Sequence, residues 1–258
     1  MIDLHCHLLP GIDDGPTAMD QSVAMARAFA DAGVERAVVT PHVSWDYPHV
    51  NAAGIHAAVE ELSAELARAE VPLQILPGAE VALSRAGDLP EEELDALTLA
   101  DAGWLLVEPP FTPQITGIEA VLDSLLLRGK RLLLAHPERS PALAKDPERL
   151  RPYVDAGMLC QITASSLSGA FGRDVQRAGR RMISSGLAHV VSSDAHNTDR
   201  RPPGMQEGVA TLQDPELADW LTRGVPAALI GGTPIPYRPE REEESRGGLL
   251  TRLRGRRR

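Results

Sequence analysis

Nine side chains able to bind a cation recur in one setting, the end of a short apolar run or the loop just after it. His5 and His7 close MIDLHCH, His42 closes VVTPH, Glu80 closes ILPGAE, Glu108 closes LLVE, His136 closes LLLAH, and Asp194 and His196 end VVSSDAH. The loop LLPGIDDGP then offers Asp13 or Asp14 within seven residues of the first pair. Singly, any of these is as readily a core histidine or a helix cap. Gathered into one pocket, five histidines and four carboxylates would repel one another and lose their hydration unless cations neutralised them, and two or three divalent ions are the economical solution. Oxygen and imidazole donors without a thiolate favour Mn, Fe, Zn or Mg, and affinity order alone does not choose among them.

The elements that would position these residues follow from patterning. Seven short β-branched or Leu-rich runs read as buried strands: 1–7, 34–42, 73–81, 103–108, 130–136, 158–163 and 187–194. Helical spacing appears between and after them at 17–32, 51–69, 91–100, 116–128, 147–155, 172–185 and 205–222. Gly33, Gly129, Gly157 and Gly186 sit where helices stop, and Pro90 and Pro147 where they start. Strand alternating with helix implies a parallel sheet. Six of the seven runs finish on a metal-capable side chain. A barrel brings all its strand C-termini to one face, whereas an open sheet gathers only those beside its switch point, so the expected fold is a distorted (β/α)7 barrel.

On such a strand His5 and His7 share a face and Cys6 points the other way, as a small buried hydrophobe. His49, His56 and His189 fall outside the pattern and are expected on the surface or in structural roles. Trp45, Tyr47 and Tyr153 are candidates for a substrate groove, although loop aromatics more often pack locally. Cys6 and Cys160 are the only cysteines, which excludes a disulfide framework.

Composition narrows the class. With 43% hydrophobic and 24% charged residues over 258 positions, the chain reads as one soluble domain, 1–239, followed by a charged tail, 240–258. That tail holds seven Arg and four Glu, so the net charge of −10 leaves the body at −13. An acidic body with 3% aromatics argues against nucleic acid. No run approaches a membrane span and no secretory start is present, so a cytoplasmic location is expected. The tail reads as disordered; the sharper alternative is contact between Arg252–Arg258 and an anionic surface or acidic partner.

With DLHCHLLPGIDDGP, TPH, PGAE, LAHPER, QITASSLSGAFG and SSDAHNTDRRPP in order over residues 2–206, the chain resembles the PHP (polymerase and histidinol phosphatase) superfamily. Within it, the likeness is to the bacterial metal-dependent tyrosine-protein phosphatases encoded with capsule and exopolysaccharide genes. The resemblance implies a TIM-like PHP barrel with three metal ions, typically manganese. It implies that His5, His7, Glu80 and Asp194 hold one ion, that Glu80 bridges to a second held by Glu108 and His136, and that Asp14, His42 and His196 hold the third. Arg139 and Arg201 match positions that look like phosphate clamps, and Glu108 is counted with them in the chemistry. One departure is Pro109 of LVEPPF, where an aromatic is usual in the family.

The implied reaction is hydrolysis of phosphotyrosine on a protein partner, expected to be a bacterial tyrosine kinase, by water ionised at the metals. A phenolate leaving group, with a pKa of about 10, needs less protonation than an alkoxide. The competing readings are a small-molecule phosphatase of the histidinol-phosphatase type and a noncatalytic metal-containing binding module.

Overall fold

The computed structural model describes residues 1–113 and 117–240. The expected charged tail, Glu240 apart, therefore lies outside the described residues, as does the start of the helix expected from residue 116.

The seven expected strands are present as nine, because the second and third are each interrupted. They are β1 (Ile2–Cys6), β2 (Arg36–Val39), β3 (His42–Val43), β4 (Gln74–Pro77), β5 (Glu80–Ala82), β6 (Trp104–Glu108), β7 (Arg131–Leu134), β8 (Leu159–Thr163) and β9 (Val190–Ser192). Every pairing between them is parallel. One sheet runs β1-β2-β4 and the other β3-β5-β6-β7-β8-β9, with a parallel bridge from Cys6 to Ala195 joining the last strand region back to the first. The result is a distorted barrel.

Chemistry accounts for the interruptions. Pro41 follows β2 and Pro77 ends β4, and proline has no N–H to give the ladder. Gly78 is required where the chain swings away, since a Cβ there would stand 2.7 Å from Val38 Cγ1 and 3.0 Å from Leu99 Cδ2. Backbone bonds span the break: Thr40 N–H donates to Cys6 O at 2.8 Å, and Glu80 N–H to Pro41 O at 3.1 Å. The short turn Leu99–Asp101 packs against β4 and β6, where the ladder between them opens.

Strand interiors are fully buried, as strands covered on both faces must be: Leu4, Val38, Val81, Leu106, Leu133 and Ile162 are all core residues. Around them lie amphipathic helices. Ala52–Arg68 buries Ile55, Val59, Leu62 and Leu66, spaced at three and four residues, and Asn51 caps it by accepting from Gly54 N–H at 3.0 Å. Each leucine so buried stabilises the fold by about 1.5–3 kcal/mol. Gly33, Gly129, Gly157 and Gly186 do adopt positive φ at helix ends.

The single helix expected over 205–222 is not formed. Pro215 cannot continue a helix, so the chain makes Gln206–Ala210, restarts at Pro215–Asp219 with Asp214 accepting from Leu217 N–H, and runs through a π-helical turn into Val225–Gly231. Gly208 lets the first piece lie against Ala164, whose carbonyl oxygen would be 2.2 Å from any Cβ.

Candidate metal centre

The nine expected donors converge at the C-terminal mouth of the barrel. β1 delivers His5 and His7 on one face, and Cys6 turns outward, buried, with Sγ 3.5 Å from Val38 O. His42 begins β3 and Glu80 begins β5, directly opposite each other in register. Glu108 ends β6, while His136 and Asp194 follow β7 and β9. Both of the latter hold positive φ, 29° and 53°, which turns the chain sharply and aims the side chains inward. Four overlapping donor groups result: His7, Asp14, His42 and His196; His5, His7 and Glu80; His5, His136 and Asp194; and His42, Glu80 and Glu108, each with donor atoms within 4.8 Å of one another.

Hydrogen bonding shows what the cluster lacks. His5 Nδ1 lies 3.0 Å from Gln161 Oε1, which also accepts from His136 N–H, and His7 Nδ1 lies 2.7 Å from Asp13 Oδ2. With those Nδ1–H groups donating, both Nε2 atoms present lone pairs, yet they sit 3.3 Å apart. Glu80 Oε2 is 3.3 Å from the first and 3.4 Å from the second, and Asp194 Oδ1 is 3.4 and 3.6 Å away. Four acceptors facing one another without a donor fit a divalent cation. Glu80 Oε2 and His136 Nδ1 are, besides, buried atoms without a hydrogen-bond partner among the described residues. Around them His136 Nε2 approaches Glu80 Oε1 at 2.8 Å, His42 Nδ1 approaches Glu80 Oε2 at 3.0 Å, and Asp14 Oδ1 meets His196 Nε2 at 3.3 Å and His42 Nε2 at 3.5 Å.

The carboxyls are driven apart in acidity. In the metal-free chain protons on the histidines take the place a cation would fill: burial pushes Glu80 up, but the charge of protonated His5 and the close His136 and His42 imidazoles hold it well below the usual range. Asp194 is likewise held low against burial by His5, His7, His136 and Arg201. Glu108 is pushed up to about 8, by burial and then by the charge of Glu80. His7 is held well above its ordinary value by Asp13 in spite of burial, whereas burial lowers His136 to about 4.

Arg139 and Arg201 reach the same mouth. Both pair with Asp194 Oδ2, and Arg201 Nη1 is also 2.8 Å from His196 Nε2. Phe111 and Phe171 flank the Arg139 guanidinium at 5.1 and 4.5 Å.

Other residues fall where their surroundings dictate. His49 is exposed, His56 lies 3.4 Å from Asp101, and His189 accepts from Cys160 N–H beside Trp220; all three stand outside the donor groups. Tyr153 is removed from the groove expectation: its neighbours are Asp123 and Glu119 on another helix. Trp45 and Tyr47 do line a pocket at the mouth. Sequence reasoning passed over Gln161, a lone amide in a buried strand, and Glu138, which is buried with Oε1 accepting from Thr163 N–H at 3.0 Å and Ser166 Oγ–H at 2.7 Å. Residue types alone left Asp13 and Asp14 open; Asp13 bonds His7, and Asp14, the one the resemblance implied, faces the histidines of the rim.

A parallel α/β barrel with a crowded histidine–carboxylate cradle at its strand ends is the class that fold and site define. Solved structures agree on the fold: dihydropyrimidinase from Brevibacillus agri NCHU1002 aligns with TM-score 0.54 at 14% identity, covering 90% of this chain and 71% of that one. A structure of YwqE from Bacillus subtilis and CpsB from Streptococcus pneumoniae, described as unique metal-dependent tyrosine phosphatases, aligns with TM-score 0.79 at 31% identity, covering 93% of this chain and 100% of that one. In sequence, the tyrosine-protein phosphatase YwqE of Bacillus subtilis (strain 168) is 33% identical over 213 residues, 83% of this chain and 84% of the relative. The tyrosine-protein phosphatase CpsB of Streptococcus pneumoniae is 31% identical over 215 residues, 80% and 87% respectively. The family described as "Capsular polysaccharide synthesis, CpsB/CapC" matches residues 1–220, and the chain belongs to that family.

Proposed function

We propose that this chain is a metal-dependent protein-tyrosine phosphatase acting on a phosphotyrosine protein, a bacterial tyrosine kinase of capsule or exopolysaccharide synthesis. The observation that carries the reading is the set of buried lone pairs converging without a donor, with two arginines clasping the carboxylate at its edge. In this reading residues 1–239 are the catalytic domain and 240–258 an appendage. Three manganese ions would be held, one by His5, His7, Glu80 and Asp194, one by Glu80, Glu108 and His136, and one by Asp14, His42 and His196. Bound divalent ions there supply Lewis acidity and let water ionise near neutral pH.

The rest of the work belongs to side chains. Asp13 and Gln161 fix the tautomers of His7 and His5 and turn their Nε2 atoms inward. Arg139 and Arg201 present planar forks at the mouth, suited to two phosphoryl oxygens, and the rings of Phe111 and Phe171 hold the first fork in its plane. Neither thiol takes part: both are buried, and burial raises Cys6 well above its ordinary value and Cys160 to about 12.

The test is metal analysis of the purified protein beside turnover of a phosphotyrosine peptide. Exhaustive chelation is expected to abolish turnover and Mn²⁺ to restore it; full activity without metal overturns the reading. Histidinol phosphate run in parallel is expected to be the poorer substrate, and a preference for it would move the chain to the small-molecule phosphatases.

A further inference from the structure

The mouth of the barrel continues on one side into a pocket of about 440 Å³. Its inner end is formed by donors already described, Asp14, His42 and Glu108, and its outer walls include Trp45, Tyr47 and Phe111. Four large hydrophobic side chains are strongly exposed among the described residues, and two of them, Trp45 at 57% and Phe111 at 46%, belong to this one pocket. A single exposed apolar residue needs no explanation, but two aromatic faces lining one opening beside a polar centre leave a preference for a third ring unsatisfied.

Each wall is held in place. Trp45 Nε1–H donates to Ser84 O at 3.2 Å, and the Arg85 guanidinium lies 4.5 Å from its ring. Tyr47 stacks on His42, with centroids 5.7 Å apart and planes 7° from parallel. Phe111 stacks on His136 at 5.5 Å and also carries Arg139, so the aromatic wall is continuous with both the donor cluster and the arginine clamp. The larger cavity nearby, about 650 Å³, touches Arg201 but is lined by Ser165, Ser168, Arg200, Glu207 and several glycines. It offers one aromatic ring, Phe171, where the other pocket has three.

We propose that the pocket walled by Trp45, Tyr47 and Phe111 seats the aromatic ring of the substrate and makes the enzyme selective for aryl over alkyl phosphates. This rests on the phosphatase reading and adds the residues that choose the leaving group. Phosphoserine and phosphothreonine, being alkyl esters, leave the pocket unfilled. Trp45 acts by positioning, through the ring, and not on the phosphoryl group.

Binding separates this from catalysis. Phenylphosphonate and methylphosphonate, neither of which is hydrolysed, are titrated calorimetrically into the manganese-loaded protein. The wild type is expected to prefer the phenyl compound about three- to tenfold, the worth of one aromatic pair. Trp45→Ala should lose most of that preference while keeping its affinity for methylphosphonate, which also shows that the variant is folded and loaded. Trp45→Phe should retain it. A wild type without preference overturns the proposal, and so does Trp45→Ala with the preference intact. Turnover of a phosphotyrosine peptide by the wild type is scored separately: its absence overturns the phosphatase reading, while the phosphonate ratio still decides what the pocket holds.

Discussion

The floor and the rim of the donor cluster are built from the same residue types on different foundations. On the floor, His5, His7, Glu80, His136 and Asp194 are at most 1% exposed and lie on or just beyond strand ends. On the rim, the side chains of Asp14, His42 and Glu108 are 46%, 17% and 15% exposed. Among the floor histidines Glu80 stays ionised, while Glu108, one strand along β5–β6, is forced toward its neutral form by burial and then by the charge of Glu80. Neighbouring carboxyls with opposite tendencies show that position in the cluster, not residue type, sets behaviour.

That contrast breaks first at Glu80. Glu80→Gln removes a carboxylate whose two oxygens face different histidines, Oε1 toward His136 and Oε2 toward His5, and it should lower turnover by about 10³-fold or more, as loss of several kcal/mol of metal assistance implies. Metal content should fall with it, whereas Asp14→Asn on the rim should lose less of both. Elemental analysis with steady-state kinetics decides; equal losses would erase the distinction between floor and rim. Next in size is Arg139→Ala, expected to lower kcat/KM by about 10²–10³ with normal metal content, since charge-assisted hydrogen bonds are worth roughly 1.5–3 kcal/mol each. Arg139→Lys should recover part of it, lacking the planar fork; an Ala variant within threefold of wild type would leave Arg139 a mere partner of Asp194.

The metal-free protein offers a smaller, pH-dependent test. Between its ordinary 4.5 and about 8, Glu108 binds a proton in the folded chain and not in the unfolded one, so stability falls as pH rises through the upper part of that window. His7, raised well above 6.5, acts in the same direction, and His136, lowered to about 4, no longer changes above neutrality. The apo melting temperature should therefore drop by a few degrees from pH 7 to 8.5, and saturating Mn²⁺ should reverse the slope because ligands must shed protons to bind. A flat apo profile by calorimetry would contradict the Glu108 environment. Smallest of all is Cys6→Ser: the thiol faces Val38, away from the donors, so turnover and metal content should stay within about twofold. A large loss would put the outer face of β1 into the chemistry.

How much of this was legible beforehand depended on period. Strand ends are marked by where an apolar run stops, so His5, His7, His42, Glu80, Glu108, His136, Asp194 and His196 could be placed at one mouth from spacing alone. Resemblance supplied the roles of Arg139 and Arg201, and the structure added that both converge on Asp194. The breaks at Pro41 and Pro77 were written in residues with no N–H to give the ladder, but a continuous apolar pattern on either side concealed them. Gln161, Glu138 and Phe111 act across 25 to 30 residues or more of chain, a separation that no local pattern encodes. Tyr153 misled because an aromatic's chemistry says nothing of which face of its helix meets the mouth.

The left-handed turns at His136 and Asp194 bear on the protein's stability as well as on its geometry. A non-glycine residue held there costs about 1–3 kcal/mol, and here the cost falls on a cluster that already crowds like with like. Ligands that bind only the folded chain repay such costs by mass action. A divalent ion bound in this cradle would thus add to the stability of the folded chain as well as supply its chemistry, and the metal-free chain would open more often.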